Sequence, residues 1–286
     1  MWQKQYHQKI DGVLAVDPTA LSYFLNATGP AALPKPTSGT VTAANVVSLT
    51  EKDVYSLFPD NARRKDFLVS VLRAAATKLT SGAGSPVDLV EAASHAASER
   101  RLLAWSSDAQ VQRLLEQTTY AGDISGTTGP LSALILNNSA AGKLDYYLQR
   151  SVEYSRTGCG PRRDVDVTIT LLNTAPASGL PPYVTTRLDA NPPKDAKSGD
   201  SRSTLDYYAT GGALVQSVTV NGKRAGVNTT DTLGRTVVRL VVELPRGVPQ
   251  TIELHLDEPA GRGAPLIWTQ PGVQPVATKV FDQTCH

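Results

Sequence analysis

Residues 164–171 of the chain read DVDVTITL, and this stretch decides how the second half of the sequence folds. Apolar residues occupy every second position, and aspartate or threonine occupies the positions between them. A period of two is typical of a β-strand that turns one face to a core and the other to solvent. The stretch therefore predicts a half-buried strand of an antiparallel sheet.

The rest of this half has the same strand pattern. A turn sequence at residues 157–161 (TGCGP) precedes the strand, and Asn221-Gly222 further on is the strongest short signal for a β-hairpin. Further strands are predicted at residues 146–155, 218–220, 236–244 and 250–256. Strands at this density, without helical stretches between them, predict an antiparallel β-sandwich of the immunoglobulin-like kind over residues 141–286.

The first half mixes short strands with helices. Residues 12–16 (GVLAV) predict a short buried strand, and Asp17-Pro18 supplies the N-cap and the first proline of a helix that ends at Gly29. Residues 102–105 (LLAW) predict a second strand. Further helices are predicted to begin near Thr42, Asp60, Ser85 and Ser107. The pattern predicts an α/β domain over residues 1–140, which makes the fold class of the whole chain α+β.

The composition excludes several classes of protein. Apolar residues make up 41% of the 286 residues and charged residues 19%, which allows packed cores and excludes a disordered polymer. Lysine and arginine number 28 against 26 aspartates and glutamates, and the net charge of +2 is too small to predict nucleic-acid binding. No run approaches the roughly 18 consecutive apolar residues of a membrane span, so the sequence predicts no span.

The chain contains two cysteines, Cys159 and Cys285, which stand far apart in the sequence. Their spacing excludes a metal knuckle and a redox Cys-x-x-Cys pair. Two interpretations remain, namely one long-range disulfide or two unrelated buried thiols. Because an unpaired Cys285 beside the C-terminus would be mobile and exposed, its position favours the disulfide, and a disulfide indicates an oxidising compartment.

The sequence lacks the common catalytic and cofactor-binding motifs. It contains no nucleophile elbow, zinc-protease helix, phosphate-binding loop or dinucleotide-binding glycine motif. Asp164 and Asp166 share one face of a strand and could hold a divalent cation, but any solvent-exposed strand face gives the same pattern. The residues therefore predict no metal site and no cofactor, and they leave the catalytic residues unknown.

Two pairs of arginines are the candidate ligand-binding residues. Arg63 and Arg64 follow Asp60 at the start of a predicted helix, where free N–H groups and the helix dipole favour an anion. Arg100 and Arg101 end the next helix, and guanidinium groups bind phosphate oxygens well. The alternative is that all four are surface charges, with the second pair favourably placed at a helix C-terminus.

Several segments resemble one family in their order and spacing. They are residues 11–18, 20–21, 28–30, 59–60 with Arg64 and 67–68, 99–106, 143–148, Cys159 and residues 173–184. Through these segments, which span about residues 11 to 185, the chain resembles the actinobacterial envelope family known as domain of unknown function 4012. The remaining C-terminal residues resemble that family only in being rich in strands.

The α/β half is also similar, more distantly, to the LytR-CpsA-Psr phosphotransferases, which transfer polyprenyl-pyrophosphate-linked glycans to the cell wall. The similarity rests on a strand, helix and glycine sequence, an Asp-x-x-Arg step from Asp60 to Arg63, and a long apolar helix. It implies a pyrophosphate contact at Arg63 or Arg64. It implies a divalent cation only if the chain is itself a phosphotransferase.

Members of the 4012 family usually carry a membrane-anchored N-terminal half with an Asn-x-x-Glu-x-Arg-x-x-Gly-Gly stretch, which this chain does not contain. The resemblance therefore implies the C-terminal half of a family member, or a short form with a late start. It also implies an incomplete LytR-CpsA-Psr-like α/β domain, membrane tethering through an N-terminal region absent from this chain, and self-association through exposed sheet edges.

Three hypotheses about function result. The leading one is an extracytoplasmic accessory or binding domain of actinobacterial cell-envelope or exopolysaccharide assembly, whose partner is a polyprenyl-phosphate-linked glycan or an envelope protein. The second is a structural or protein-interaction module without a small-molecule ligand. The third is a glycan phosphotransferase, which the absent upstream motif disfavours because phosphoryl transfer needs a metal and several converging cations. The sequence leaves open whether the chain is an enzyme and favours the interpretation that the chain alone is not one.

Overall fold

The computed structural model describes residues 2–35, 37–124 and 129–285. These residues form a mixed α and β structure, and the chain divides into two compact units, Met1–Asp123 and Ile124–His286. Most of the helices belong to the first unit, and most of the strands belong to the second.

The first unit is built from helices and two small sheets of two strands each. Its helices are α1 (Trp2–Tyr6), α2 (Pro18–Thr28), α3 (Val46–Ser48), α4 (Val54–Leu57), α5 (Asn61–Thr80), α6 (Pro86–Ser98) and α7 (Ala109–Leu115). Its strands are β1 (Gly12–Val16), β2 (Ala31–Ala32), β3 (Thr40–Val41) and β4 (Leu102–Ser106). A π-helical segment, Leu49–Asp53, joins α3 to α4. Strand β1 pairs antiparallel with β4, and β2 pairs antiparallel with β3.

Two of the longer helices begin at the capping residues that the sequence predicts, whereas the helix predicted from Thr42 begins at Val46. The carboxylate of Asp17 accepts a hydrogen bond from the backbone N–H of Ala20 at 2.7 Å and caps α2. Asp60 accepts from the N–H of Arg63 at 2.9 Å and caps α5. Each cap satisfies a backbone donor that the first turn of a helix leaves unpaired. The helix starts near Asp60 and after Asp17 are therefore confirmed.

Strand β1 is confirmed, but its predicted burial is wrong. All five of its residues are exposed, and Leu14 keeps 72% of its surface accessible. Its neighbour β4, in contrast, buries Leu102 against Ala20 and Ala96. The difference arises because β4 also packs against α6 and α7, whereas β1 contacts chiefly β4.

The second unit consists mainly of two larger sheets. Its strands are β5 (Leu131–Asn138), β6 (Leu148–Thr157), β7 (Arg162–Asn173), β8 (Ser201–Tyr208), β9 (Leu214–Val220), β10 (Lys223–Arg224), β11 (Asn228–Thr232), β12 (Arg235–Leu244), β13 (Gln250–Pro259), β14 (Leu266–Thr269) and β15 (Val276–Asp282). It also contains a short α-helix, α8 (Pro182–Thr185), and a 3-10 helix, Asp145–Tyr147. One sheet has the order β10-β9-β13-β7-β6-β15, and the other has the order β11-β12-β8-β5-β14.

The alternating sequence pattern explains the core of this unit. The apolar positions of β7, from Val165 to Leu171, are at most 1% exposed, as the period of two predicts. They belong to one hydrophobic cluster that also contains Leu205 and Tyr207 from the other sheet. The predicted hairpin at Asn221-Gly222 is confirmed between β9 and β10, and both turn residues have the positive φ that this turn requires.

The structure differs from the prediction in two details. The sheets are not wholly antiparallel, because β14 runs parallel to β5 and β15 runs parallel to β6 at the sheet edges. The predicted domain boundary at residue 140 also differs from the division after Asp123, because β5 pairs with β8 and β14.

Cys159 and Cys285 form a disulfide, with their Cα atoms 5.6 Å apart. The bond ties the turn between β6 and β7 to the segment after β15. Beside it, the guanidinium of Arg156 donates two hydrogen bonds to the carboxylate of Asp282, at 2.7 and 2.8 Å. The predicted pairing of the cysteines is therefore present, and the last strand is held at its C-terminal end.

Replacing both cysteines (Cys159→Ala with Cys285→Ala) should destabilise the second unit by about 4 to 5 kcal/mol on the chain-entropy model, because the bond closes a loop across 126 residues. Urea unfolding, followed by far-ultraviolet circular dichroism, measures the change against the oxidised wild type. A loss under about 1 kcal/mol would show that the cross-link does not restrict the unfolded chain as this model requires.

Candidate functional site

Arg63 and Arg64, the first pair of residues predicted to bind an anion, lie on different faces of α5 at its start. Arg64 lies on the buried face of the helix and is 3% exposed, whereas Arg63 is exposed. Adjacent residues of a helix point in directions about 100° apart, so a pair of this kind does not converge on one ligand.

Arg64 ties the preceding loop to the helix. Its guanidinium donates to the backbone carbonyl of Phe58 at 2.9 Å and to the side-chain oxygen of Asn61 at 2.9 Å. It also lies over the ring of Tyr55, 5.5 Å from the ring centre. Buried backbone carbonyls need donors, and a guanidinium supplies several in a fixed geometry. These contacts give Arg64 a structural role in this unit.

Arg63 instead lines a shallow pocket of about 410 Å³. The pocket also contains the hydroxyl residues Thr37 and Ser38 and the rings of Phe58 and Phe67, whose centres are 4.7 Å apart. Among the described residues, the guanidinium of Arg63 makes no hydrogen bond or ion pair. The pocket therefore combines a cation with hydroxyl groups and aromatic carbon, although the carboxylate of Asp66 also lines it.

The different positions of the two arginines predict different effects on stability. Arg64→Ala should lower the free energy of unfolding of the first unit by about 2 to 3 kcal/mol, because it removes a buried side chain together with its hydrogen bonds to Asn61 and to the half-buried carbonyl of Phe58. Arg63→Ala should change it by less than about 0.5 kcal/mol. Chemical denaturation of both variants tests this, and equal losses would contradict the assignment of the structural role to Arg64.

Arg100 and Arg101 form the end of α6 rather than an open anion site. The N–H of Arg100 donates to the carbonyl of Ala97 at 2.9 Å, and the N–H of Arg101 donates to that of Ala96 at 2.7 Å. Arg100 has a φ of +58°, the left-handed conformation that closes a helix in this motif. Burial lowers the pKa of its half-buried guanidinium.

The side chain of Arg101 is held by two carboxylates. It contacts Asp17 at 2.7 Å and Glu99 at 2.6 Å, and only 10% of it is exposed. The ion pair with Asp17 joins the end of α6 to the residue that caps α2. Two anions already surround the guanidinium, so it is poorly placed to hold a third.

The cleft beside this network is acidic. It has a volume of about 670 Å³, and Asp88, Glu91, His95 and Tyr23 lie among its lining residues. The ring of Tyr23 stacks on that of His95, with centres 4.4 Å apart. Its hydroxyl donates to Glu99 at 2.7 Å, and burial together with this hydrogen bond raises the pKa of Tyr23 to about 12. The exposed carboxylates of Asp88 and Glu91 disfavour a phosphate ligand here.

The second unit contains an ion-pair network that the sequence motifs did not indicate. Arg187 donates to both carboxylate oxygens of Asp189, at 2.9 and 2.7 Å, and to Glu243 at 2.8 Å. Arg202 approaches the same two carboxylates at 3.2 Å. The hydrogen bonds from Arg187 hold the pKa of Asp189 well below its usual range. Only the charge of these residues is visible in the sequence, because the network also needs Arg202 on β8 and Glu243 on β12, which are distant from Arg187 along the chain.

Glu258 is a second group that sequence reasoning missed. It is 0% exposed on β13, an alternating strand whose central core positions are the apolar residues Ile252, Leu254 and Leu256. Its carboxyl accepts the hydroxyl hydrogen of Thr210, and the hydroxyl of Tyr154 nearby has no hydrogen-bond partner among the described residues. Burial raises the pKa of Glu258, because a charged carboxylate is costly in this interior.

The burial of Glu258 makes the free energy of unfolding depend on pH, and the raised pKa fixes the direction of that dependence. A carboxyl whose pKa is higher in the folded than in the unfolded state makes the protein lose stability as pH rises above the unfolded value of about 4.3. Glu258→Gln removes that titration and retains an oxygen that accepts from Thr210. The free energy of unfolding of the variant relative to wild type should therefore rise between pH 4 and pH 8, and parallel pH curves would contradict the prediction.

The sequence predicts no metal site, and Asp164 and Asp166 are the two residues whose spacing could have formed one. Asp166 contacts His255, which lies opposite it on β13. Within residues 2–35, 37–124 and 129–285, no group of three or more histidines, cysteines, aspartates or glutamates is arranged to hold a metal ion. In the same part of the chain, no helix is both long and apolar enough to cross a membrane.

The family comparison agrees with part of the sequence resemblance. The model of a family described as "Protein of unknown function (DUF4012)" matches residues 1–55. The match overlaps the start of the resemblance found over about residues 11 to 185. No curated protein matches the chain.

Two solved structures show weak similarity. A candidate nutrient-binding protein from Legionella pneumophila is 10% identical, with a TM-score of 0.27, over 46% of this chain and 44% of that one. An M1 zinc metallopeptidase from Deinococcus radiodurans is 20% identical, with a TM-score of 0.19, over 39% of this chain and 19% of that one. The chain thus spans less than half of either protein, and TM-scores this low do not indicate a shared fold.

Proposed function

We propose that the chain is an extracytoplasmic binding module of cell-envelope or exopolysaccharide assembly, which holds a polyprenyl-phosphate-linked glycan at the pocket of Arg63. The observation that carries the proposal is the position of that arginine. Its guanidinium faces a pocket with hydroxyl groups and aromatic rings, whereas Arg64 and Arg101 are engaged with protein groups.

The chemistry of the pocket suits such a carrier. A guanidinium forms paired hydrogen bonds with phosphate oxygens, and hydroxyl groups such as those of Thr37 and Ser38 add neutral partners. Phe58 and Phe67 offer apolar ring surface to a sugar face or to the first carbons of a polyprenyl chain. Because the pocket is shallow, we expect it to hold the phosphate and its immediate neighbours rather than the whole carrier.

Two further observations support the location and the class. The disulfide between Cys159 and Cys285 is consistent with an extracytoplasmic compartment. The match of residues 1–55 to the 4012 family agrees with the family resemblance in the sequence, from which the envelope role is proposed. The two sheets with a shared hydrophobic cluster support the proposal that the second unit is a β-sandwich, which would present or dock the first unit.

A binding experiment tests the role of the pocket. Titration calorimetry with a short-chain polyprenyl pyrophosphate should detect binding to wild type, and Arg63→Ala should weaken it at least tenfold. Arg73→Ala is the matched control, because Arg73 is an exposed arginine of the same helix that lies outside this pocket. Wild-type binding should also weaken with added salt, since the contact is exposed.

Either of two results would reject the proposal. One is equal weakening by Arg63→Ala and Arg73→Ala, which indicates nonspecific attraction to a basic helix. The other is no binding by the wild type at low salt.

A second function, a protein-interaction module, is favoured by the edge strand β15. Val280 and Phe281 on this strand are 49% and 58% exposed, and β15 ends its sheet. Apolar side chains along an open edge are typical of surfaces that accept a partner strand.

If the chain is a protein-interaction module and does not hold a glycan carrier, polyprenyl pyrophosphate should not bind to it. Phe281→Lys should then abolish the binding of an envelope protein partner.

A further inference from the structure

Strand β1 is unusual for an edge strand, because its five residues are all apolar or glycine and all exposed. Leu14 is 72% exposed, Val13 is 46% exposed, and Trp105 opposite Val13 is also 46% exposed. Continuous apolar strands normally lie inside a sheet with both faces covered. Natural sheet edges are usually protected by a charge, a proline or a bulge, and residues 12–16 contain none of these.

The hydrogen-bond pattern shows which backbone groups of β1 face outward. The carbonyl of Asp11 accepts from the N–H of Ser107 at 2.8 Å, and the N–H of Asp17 donates to the carbonyl of Arg101 at 3.3 Å. In an antiparallel pair, bonding residues alternate along each strand. The odd-numbered residues between Asp11 and Asp17 therefore bond to β4. The N–H and C=O groups of Gly12, Leu14 and Val16 point to the open edge, and the described residues provide them with no partner.

These three outward-facing residues are arranged symmetrically about Leu14. If a second copy of β1 pairs antiparallel across a two-fold axis at this residue, Leu14 lies opposite Leu14, and Gly12 lies opposite Val16 of the other copy. Each of the three pairs exchanges two bonds, which gives about six hydrogen bonds between the chains. An axis at this position uses every outward group of the strand.

We propose that two copies of this chain associate through β1, so that two sheets of two strands become one sheet of four. The contact is isologous, since the same strand serves on both sides. The inference does not depend on the proposed ligand, because the pocket of Arg63 lies at the start of α5. It assigns one strand to the self-association through exposed sheet edges that the family resemblance implies.

The flanking charges are compatible with this register. Asp11 of one copy lies opposite Asp17 of the other, which would repel if both carboxylates were uncompensated. Asp17, however, is ion-paired with Arg101 at 2.7 Å and also accepts from the N–H of Ala20. Its charge is therefore largely offset within its own chain.

The size of the contact sets the strength of the dimer. A strand of this length spans about 17 Å, so edge pairing with the adjoining apolar side chains buries less than the roughly 800 Å² per partner of a standard interface. Contacts below that size are weak or transient, and a stable, permanent dimer would require more area. We therefore expect association that depends on concentration, with a dissociation constant in the micromolar range or above.

Sedimentation velocity of the full chain over a range of concentrations tests the proposal. Wild type should shift from monomer to dimer, and Leu14→Asp should raise the dissociation constant at least tenfold, because it places two carboxylates opposite each other. Leu188→Asp is the matched control, since Leu188 is 75% exposed and lies in the second unit. It should dimerise as the wild type does.

A cross-linking experiment tests the register without depending on the aspartate variant. Across a hydrogen-bonded antiparallel pair the Cα atoms are about 5.5 Å apart, which a disulfide can bridge. The described residues contain no free cysteine, so Leu14→Cys adds one reactive thiol. Under mild oxidation it should form a covalent dimer at least tenfold faster than Leu188→Cys. A wild type that stays monomeric at all concentrations, or equal cross-linking rates for the two variants, would overturn the proposal.

Discussion

The second unit depends on one hydrophobic cluster that both of its large sheets share. Because the period of the strands is two, every second residue of β7 and β13 must enter that cluster, and the residues between them must face outward. This constraint explains why the ionic groups of the unit lie on the outer side of the strands or at their ends. Charged side chains that reach the inward side lie towards the strand ends, as Arg156, Arg163 and Glu258 do, and Glu258 brings a carboxyl group there.

The first unit uses its arginines in a different way. Arg64 and Arg101 are largely surrounded by protein. Arg64 connects the loop before α5 to that helix, and Arg101 connects the end of α6 to the residue that caps α2. A guanidinium that already donates to carbonyls or carboxylates has little capacity left for a ligand. The exposed Arg63 is therefore the remaining candidate of the first pair, and its pocket is more informative than the basic character of the segment.

The sequence predicts local structure well where a short-range rule applies. The strands with a period of two, the Asn221-Gly222 hairpin and the caps at Asp17 and Asp60 follow from neighbouring residues, and the structure contains them. The pairing of Cys159 with Cys285 was one of two interpretations, and the exposed position near the C-terminus favoured it correctly. The burial of β1 was predicted wrongly because burial depends on which elements cover a strand. Likewise, neighbouring arginines look equivalent in the sequence, and only helix packing distinguishes Arg63 from Arg64.

The parallel pairing of β15 with β6 determines how the second unit responds to mechanical load. Since the two strands run in the same direction, the C-terminal end of β15 lies beside the turn that carries Cys159. Tension applied at Cys285 passes through a covalent bond into that turn before it reaches the backbone hydrogen bonds of β15. The strand therefore cannot be peeled away one bond at a time from this end. Detachment under force has to begin at Val276, at the opposite end, or to shear the whole strand at once.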